Sequence, residues 1–404
     1  MAAVLGPVSE DNVFYLGSLD GKPARILFHG SSPIVFSSGQ LLYLAENVLM
    51  ARPFDPVKLD LTGEAVSVAD GVQTDPLFSN GVFSASQNST LVYQAGRGPT
   101  AHSVVILDRA GKPLRRLEEA PPGTSPRFSP DAKDEAYDLV LPSGGGKIEL
   151  WMADIISGGR SRLTSDPLSL VSHSVVWSPN GTHLVYSCAK SSNPSICIRA
   201  IGQIAQEEER WEAKDDAFVR ATDWTPDGKS LIVSEGSGST GRARVALLPV
   251  EGKEGAAPLV EVQSVNVDSG QVSPDSRWIA YRSDESGKNE IYISSFPKPF
   301  GKLQVSNAGG MAPRWRGDAK ELYYLAPDKK LMAVELQEVG GSLQVRSIRP
   351  LFEMFQTMFL IAAGANQYDV SRDGSRFVVD SLDANQTSAP LNLVVNWDAD
   401  LKKK

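Results

Sequence analysis

Trp177-Ser178-Pro179-Asn180-Gly181 leading into Leu184-Val185-Tyr186-Ser187, and Trp224-Thr225-Pro226-Asp227-Gly228 leading into Leu231-Ile232-Val233-Ser234, are two copies of one pattern. Each is an aromatic residue, a tight turn and a short apolar strand. Proline presets φ near about −65° at the second turn position, Asp or Asn ties its side chain to the backbone two residues on, and Gly accepts a left-handed φ at the fourth. Working outward, Phe128-Ser129-Pro130-Asp131 repeats the pattern, as does Val272-Ser273-Pro274-Asp275 with Trp278-Ile279-Ala280-Tyr281 after it. Eroded copies stand at Phe83-Ser84-Ala85-Ser86, Trp315-Arg316-Gly317-Asp318 and Val370-Ser371-Arg372-Asp373-Gly374, and another begins at Phe36. Where Ala132, Ser276 and Ala319 replace the glycine, either a left-handed backbone costs roughly 1 kcal/mol or the loop takes another geometry. The sequence allows both.

The copies start at 36, 83, 128, 177, 224, 272, 315 and 370. A spacing of about 48 residues is that of a propeller blade of four short strands, and no segment sustains the 3.6-residue apolar period of a helix. Two distant units also align past the turn: Leu42-Tyr43-Leu44-Ala45 with Leu49-Met50-Ala51 returns as Tyr323-Tyr324-Leu325-Ala326 with Leu331-Met332-Ala333. Third strands read as Ile148-Glu149-Leu150-Trp151-Met152, Val245-Ala246-Leu247-Leu248 and Ile291-Tyr292-Ile293-Ser294. Fourth strands are shorter and more polar, such as Leu303-Gln304-Val305-Ser306, as suits an exposed blade edge.

The fold class is therefore all-β, one propeller domain over 1–404. Segment 12–28 lacks a first and second strand, and Gln367 to Val379 supplies them, so a blade shared between the termini closes a ring of eight. The alternative is seven blades, because Leu391-Asn392-Leu393-Val394-Val395 gives the last unit a third strand of its own.

The 404 residues are 41% hydrophobic and carry 40 basic against 48 acidic side chains, a net charge of −8. That balance excludes a phosphate-wrapping nucleic-acid binder. No apolar run approaches the roughly 20 residues that cross a bilayer, and Met1 to Gly6 lacks a basic n-region, so no membrane segment or export signal is expected in this chain. Cys188 and Cys197 sit on the two arms of one hairpin. A cross-strand disulfide can form there, while partly buried free thiols are common, and both outcomes stay open.

The turns followed by a strand and a serine resemble the TolB-type propeller repeat. The whole chain is most similar to the C-terminal propeller of bacterial receptor-type serine/threonine kinases, on the strength of Gly17-Ser18-Leu19-Asp20-Gly21-Lys22, Leu49-Met50-Ala51-Arg52-Pro53-Phe54-Asp55, Trp278 to Gly287, and Leu331-Met332-Ala333-Val334. The kinase resemblance implies a sensor or interaction module in the periplasm or outside the cell. The TolB resemblance implies, as the alternative, an envelope scaffold binding peptides at the channel mouth; a lyase or hydrolase that uses the propeller channel is the third reading, against which the dispersed histidines argue.

Chemistry is sparse. Kinase motifs are absent, and so is the Gly-x-Ser-x-Gly elbow of the hydrolases that carry similar propellers, so the chain is expected not to be an enzyme and to hold no catalytic residue. His29, His102, His173 and His183 show no ligand spacing, so no metal and no cofactor are expected. Repeat aromatics fit packing between blades better than ligand stacking. Function in a propeller sits where blades converge, and charged residues just before the innermost strands mark that mouth: Arg127, His173, Arg220, Asp223, Asp268, Arg314 and Asp369. A monomer with an unidentified protein or small-molecule ligand is the expectation.

Overall fold

The computed structural model describes residues 13–17, 23–29, 31–45, 47–73, 81–95, 102–120, 125–140, 147–163, 168–169, 175–188, 193–202, 207–213, 217–237, 242–252, 254–262, 266–354, 368–382, 390–399 and 401. Among these residues the regular elements are β-strands, and there is no α-helix. By density of contacts the chain forms two compact units, one of residues 1–100, 141–146 and 383–404, the other of residues 101–140 and 147–382. The repeats predict a single propeller over 1–404.

In the larger unit the described residues make six sheets, here called blades I to VI and each written from its innermost strand outward. Blade I is Arg127–Phe128, Asp134–Val140, Lys147–Asp154 and Arg160–Arg162, with Leu168–Ser169 also on the third strand. Blade II is Val175–Trp177, His183–Cys188, Ser195–Ala200 and Glu207–Glu212. Blade III is Ala217–Trp224, Ser230–Ser237, Ala243–Pro249 and Ala257–Val260. Blade IV is Val267–Val272, Trp278–Ser283, Glu290–Ser295 and Leu303–Gln304. Blade V is Met311–Trp315, Glu321–Leu325, Lys330–Val339 and Ser342–Glu353. Blade VI is composite: Tyr368–Val370, Arg376–Leu382, His102–Asp108 and Pro113–Ala120. Each innermost strand packs on the innermost strands of its two neighbours, and Tyr368–Val370 meets both Met311–Trp315 and Arg127–Phe128.

This pairing corrects the expected closure. Arg376–Leu382 does not recruit the 12–28 segment; it pairs antiparallel with His102–Asp108, from Leu382 opposite His102 to Arg376 opposite Asp108. Reciprocally, Leu391–Val395 pairs with Thr90–Gln94. The units that begin at 83 and 370 have exchanged third strands. An antiparallel ladder is made by backbone groups, so a third strand from any copy fits the second strand of any other, and repeat similarity cannot say which one is used. Among the described residues, the cycle of sheets accordingly has six members rather than eight or seven.

In the smaller unit, Ser31–Ser37, Gln40–Ala45, Val48–Asp55 and Asp60–Leu61 form one sheet with Val66–Ala69 on its third strand. Phe83–Ala85 and Thr90–Gln94 form another with Leu391–Val395 at its edge, and Val13–Leu16 pairs with Arg25–His29. Its core is built on Leu42, Leu44, Leu49 and Leu91, all fully buried.

The turns are as their composition predicts. Gly181 and Gly228 take φ of 72° and 75° and donate N–H to the carbonyls of Ser178 and Thr225, while the Thr225 hydroxyl donates to Asp227 at 2.7 Å. Ala132 (φ 54°), Ser276 (φ 57°) and Ala319 (φ 60°) keep the left-handed backbone without glycine, which settles the choice between the two geometries. The cysteines are bridged, with Cα atoms 5.9 Å apart. They lie diagonally across the second and third strands of blade II, Cys188 opposite Ser195 and Cys197 opposite Tyr186, and both are buried. Because Ala132 and Ser276 hold a conformation that disfavours a Cβ, Ala132→Gly and Ser276→Gly are each expected to raise stability by a few tenths to about 1 kcal/mol in urea titration.

Candidate functional site

Five of the six innermost strands bring predicted or neighbouring polar residues to one cavity of ≈ 220 Å³: Arg127 of blade I, Asp223 of III, Gln271 of IV, Arg314 of V and Asp369 of VI, with Trp177 of II completing the wall. Inner strands of a propeller converge, so charges there lose water and must find partners among themselves. Asp369 is the shared partner. One of its oxygens lies 3.6 Å from Nη1 of Arg127 and 3.3 Å from Nε of Arg314, and the other accepts the Phe128 N–H at 3.1 Å. Arg127 reaches the Thr222 carbonyl at 3.4 Å. Arg314, only 3% exposed, donates from Nη1 to the Pro313 carbonyl at 2.7 Å and lies over the Tyr368 ring. Its Nη2 has no acceptor among the described residues.

Electrostatics follow from this crowding. Burial, then repulsion from Arg127, lowers Arg314 to about 10. Burial pushes Asp223 up to about 6, partly offset by the N–H groups of Val272 and Trp224 and by the charges of Arg127 and Arg314. The Val272 N–H donates to Asp223 at 2.7 Å and so joins blade III to blade IV.

Arg220 and Asp268 belong to a separate cluster. The Arg282 guanidinium makes two hydrogen bonds to Asp268, from Nε at 2.7 Å and from Nη2, and the Ser269 hydroxyl adds a third. Burial raises the Asp268 carboxyl, but the charge and hydrogen bonds of Arg282, with Arg220, outweigh it and hold it below the usual range. Burial lowers Arg220. His173 lies outside the described residues. Among the described residues no group of three or more His, Cys, Asp and Glu is placed to hold a metal ion.

Sequence reasoning misses three members of these sites. Gln271 stands just before the turn of its copy, the position that singles out Arg127 and Arg314, but it is neutral and the sequence criterion is charge. It donates to the carbonyls of Thr222 and Gly270, and its own carbonyl accepts the Trp315 indole N–H at 3.0 Å. Thr222 contributes a backbone carbonyl, which leaves no mark in a sequence. Arg282 lies on a second strand, where the repeat gives no reason to expect a charge.

No protein-family model matches the chain. A putative TolB from Agrobacterium tumefaciens superposes with a TM-score of 0.54 at 16% identity, over 70% of this chain and 98% of that one. The fold is that of a TolB-type β-propeller. TolB from Acinetobacter baumannii matches 87% of the chain and 80% of its own at 16% identity, with a TM-score of 0.46. Dipeptidyl-peptidase 5 of Aspergillus fumigatus is 28% identical over 181 residues, 42% of this chain and 24% of the relative, so the chain spans about a quarter of that relative's length. This match corrects the expectation that the chain is not an enzyme: the stretch it shares belongs to a peptidase.

Asp223 gives a pH test. With its carboxyl raised from 3.8 to about 6, the folded state holds the proton more tightly than the unfolded chain. Its contribution is present in full below about pH 4, declines as pH rises to about 6 and is flat above, by at most about 3 kcal/mol. Asp223→Asn is expected to remove that decline in urea titrations run at both ends of the window.

Proposed function

We propose that the chain is a propeller scaffold of the TolB kind that binds a segment of another polypeptide at the axial mouth of its larger unit. One observation carries this reading. Two buried guanidiniums, Arg127 and Arg314, share the single carboxylate of Asp369, and Nη2 of Arg314, which lines the cavity, has no hydrogen-bond acceptor among the described residues. A buried donor without a partner costs about 1–3 kcal/mol, and a peptide carboxylate entering the cavity would recover it as a charge-assisted hydrogen bond. Protonation of Asp223 below about pH 6 would remove a negative charge from the same wall.

The test is calorimetric titration with a short peptide bearing a free C-terminal carboxylate, beside its amidated twin. At least tenfold tighter binding of the acid, strengthening below about pH 6 and lost in Arg314→Gln, is the expected result. Equal binding of acid and amide would remove the carboxylate from the reading. If Arg314→Gln does not fold, the acid-to-amide ratio on the native chain still decides.

A second reading rests on the Aspergillus match. In it the propeller presents peptides to a hydrolytic domain of a longer peptidase, and the axial cavity meets the substrate. Hydrolysis of fluorogenic dipeptide amides by the native protein would favour it over the scaffold. None of the relatives named above is a kinase, and the scaffold alternative suits the TolB-type fold at least as well as the kinase-sensor reading.

We also place the chain in an oxidising, extracytoplasmic compartment, where disulfides such as Cys188–Cys197 persist. Reduction should cost about 2–3 kcal/mol for so short a loop. Cys188→Ala/Cys197→Ala should lose at least that much and become insensitive to reductant, read as unfolding midpoints with and without dithiothreitol.

A further inference from the structure

The outer strands of the larger unit are built to discourage pairing with another chain. Blade I ends on Arg160-Ser161-Arg162, blade II on a strand with four glutamates, blade III on one that contains Pro258, and blade IV on the two residues Leu303–Gln304. Those of blades V and VI carry arginine, glutamate and proline. Charge, proline and shortness all keep an exposed backbone edge from recruiting a partner strand.

Leu391–Val395, in the smaller unit, has none of these features. It is the outer strand of the sheet it forms with Thr90–Gln94 and Phe83–Ala85, and it reads Leu-Asn-Leu-Val-Val. Thr90–Gln94 occupies its inner edge, and no described strand pairs with its outer one. Its two faces differ. Val394, opposite fully buried Leu91 on the ladder, lies against the core of the unit. Leu391, Leu393 and Val395 point the other way and are 69%, 66% and 65% exposed. Val66–Ala69 is another neutral edge strand of this unit, but it turns Val66 and Val68 to the core and exposes only Ser67. Leu391–Val395 thus combines an open backbone edge with a row of branched apolar side chains in water.

We propose that this edge joins a second copy of the chain, the two Leu391–Val395 strands pairing antiparallel about a two-fold axis at Leu393. The strand is its own complement. Without charge it calls for a neutral, apolar partner, and in this register Leu393 faces Leu393 and Leu391 faces Val395, so the exposed rows of both copies meet on one face. The open edges exchange backbone N–H and C=O groups, and two three-stranded sheets become one of six strands. A five-residue strand buries less than the roughly 1,200 Å² of a stable interface, so the association is weak and depends on concentration. It is independent of the axial reading, because the strand contributes nothing to that cavity.

The test is sedimentation velocity on the full chain, from micromolar to several hundred micromolar, where a reversible shift from monomer to dimer is expected. Leu393→Lys sets like charges opposite each other at the two-fold axis. It should weaken association at least tenfold with the melting temperature unchanged, since the side chain it alters is exposed. Leu393→Cys checks the register without adding charge: opposed residues of antiparallel strands have Cα atoms about 4.5–5.5 Å apart, within reach of a disulfide, so mild oxidation should link two copies. Leu391→Cys, whose counterpart lies about 14 Å further along the strand, should not cross-link. A chain that stays monomeric throughout would overturn the proposal and leave the edge to a different polypeptide. So would a dimer indifferent to Leu393→Lys, or equal cross-linking of the two cysteine variants.

Discussion

A strand inside a blade must find hydrogen-bond partners along both of its edges, because its backbone groups are cut off from water. The second strands feel this constraint most strongly. Arg376–Leu382 has Tyr368–Val370 on one side and requires a strand on the other, which His102–Asp108 supplies. Thr90–Gln94 meets the same need by taking Leu391–Val395. The composite blade of the larger unit follows from that exchange. The exchange makes blade VI a sheet of two distant segments and lets Tyr368–Val370 sit between blades V and I, which sets Asp369 between Arg127 and Arg314.

The axial charges are held on a frame made by inter-blade contacts. The indoles of Trp177 and Trp315 and the carboxylate of Asp223 each cross from one blade to another. Polar contacts of this kind are directional, so they set the angle between sheets where apolar packing alone would tolerate sliding. Asp268 and Arg282 form a closed pair within blade IV, satisfied by twin hydrogen bonds. Arg127, Arg314 and Asp369 form an open one, with donors left over. The difference between a structural ion pair and a candidate binding wall here is that Nε and Nη2 of Arg314 have no hydrogen-bond acceptor among the described residues.

Much of this is legible in the amino-acid sequence. The Ser-Pro-Asp-Gly turns mark the strand pairs, and the position before each turn marks Arg127, Arg314 and Asp369, which the structure brings together. Arg220 and Asp268 stand four residues before Trp224 and Val272 rather than one, and they go to a different cluster, further back along the same inner strands. Gln271 and Arg282 escape that reading. A neutral amide carries no charge signal, and a buried arginine on a second strand shows itself only through its partner. Trp224 reads like Trp177 in the sequence. Nothing local distinguishes the Trp177 indole, which finds a carbonyl, from that of Trp224, which has no acceptor among the described residues.

Local chemistry is what the sequence by itself determined: an all-β chain, the turn geometry with its left-handed fourth residue, the four-strand unit and the rank of each strand within it. These depend on φ preferences and on alternation over a few residues, and both are written in consecutive positions. Only the tertiary structure decided that six sheets form the cycle among the described residues, that the third strands of two units are exchanged, that Cys188 and Cys197 are joined, and that two arginines share one aspartate. The physical reason is that backbone pairing is blind to sequence, so near-identical repeats offer near-identical partners, and the choice among them is made by the packing of the assembled sheets.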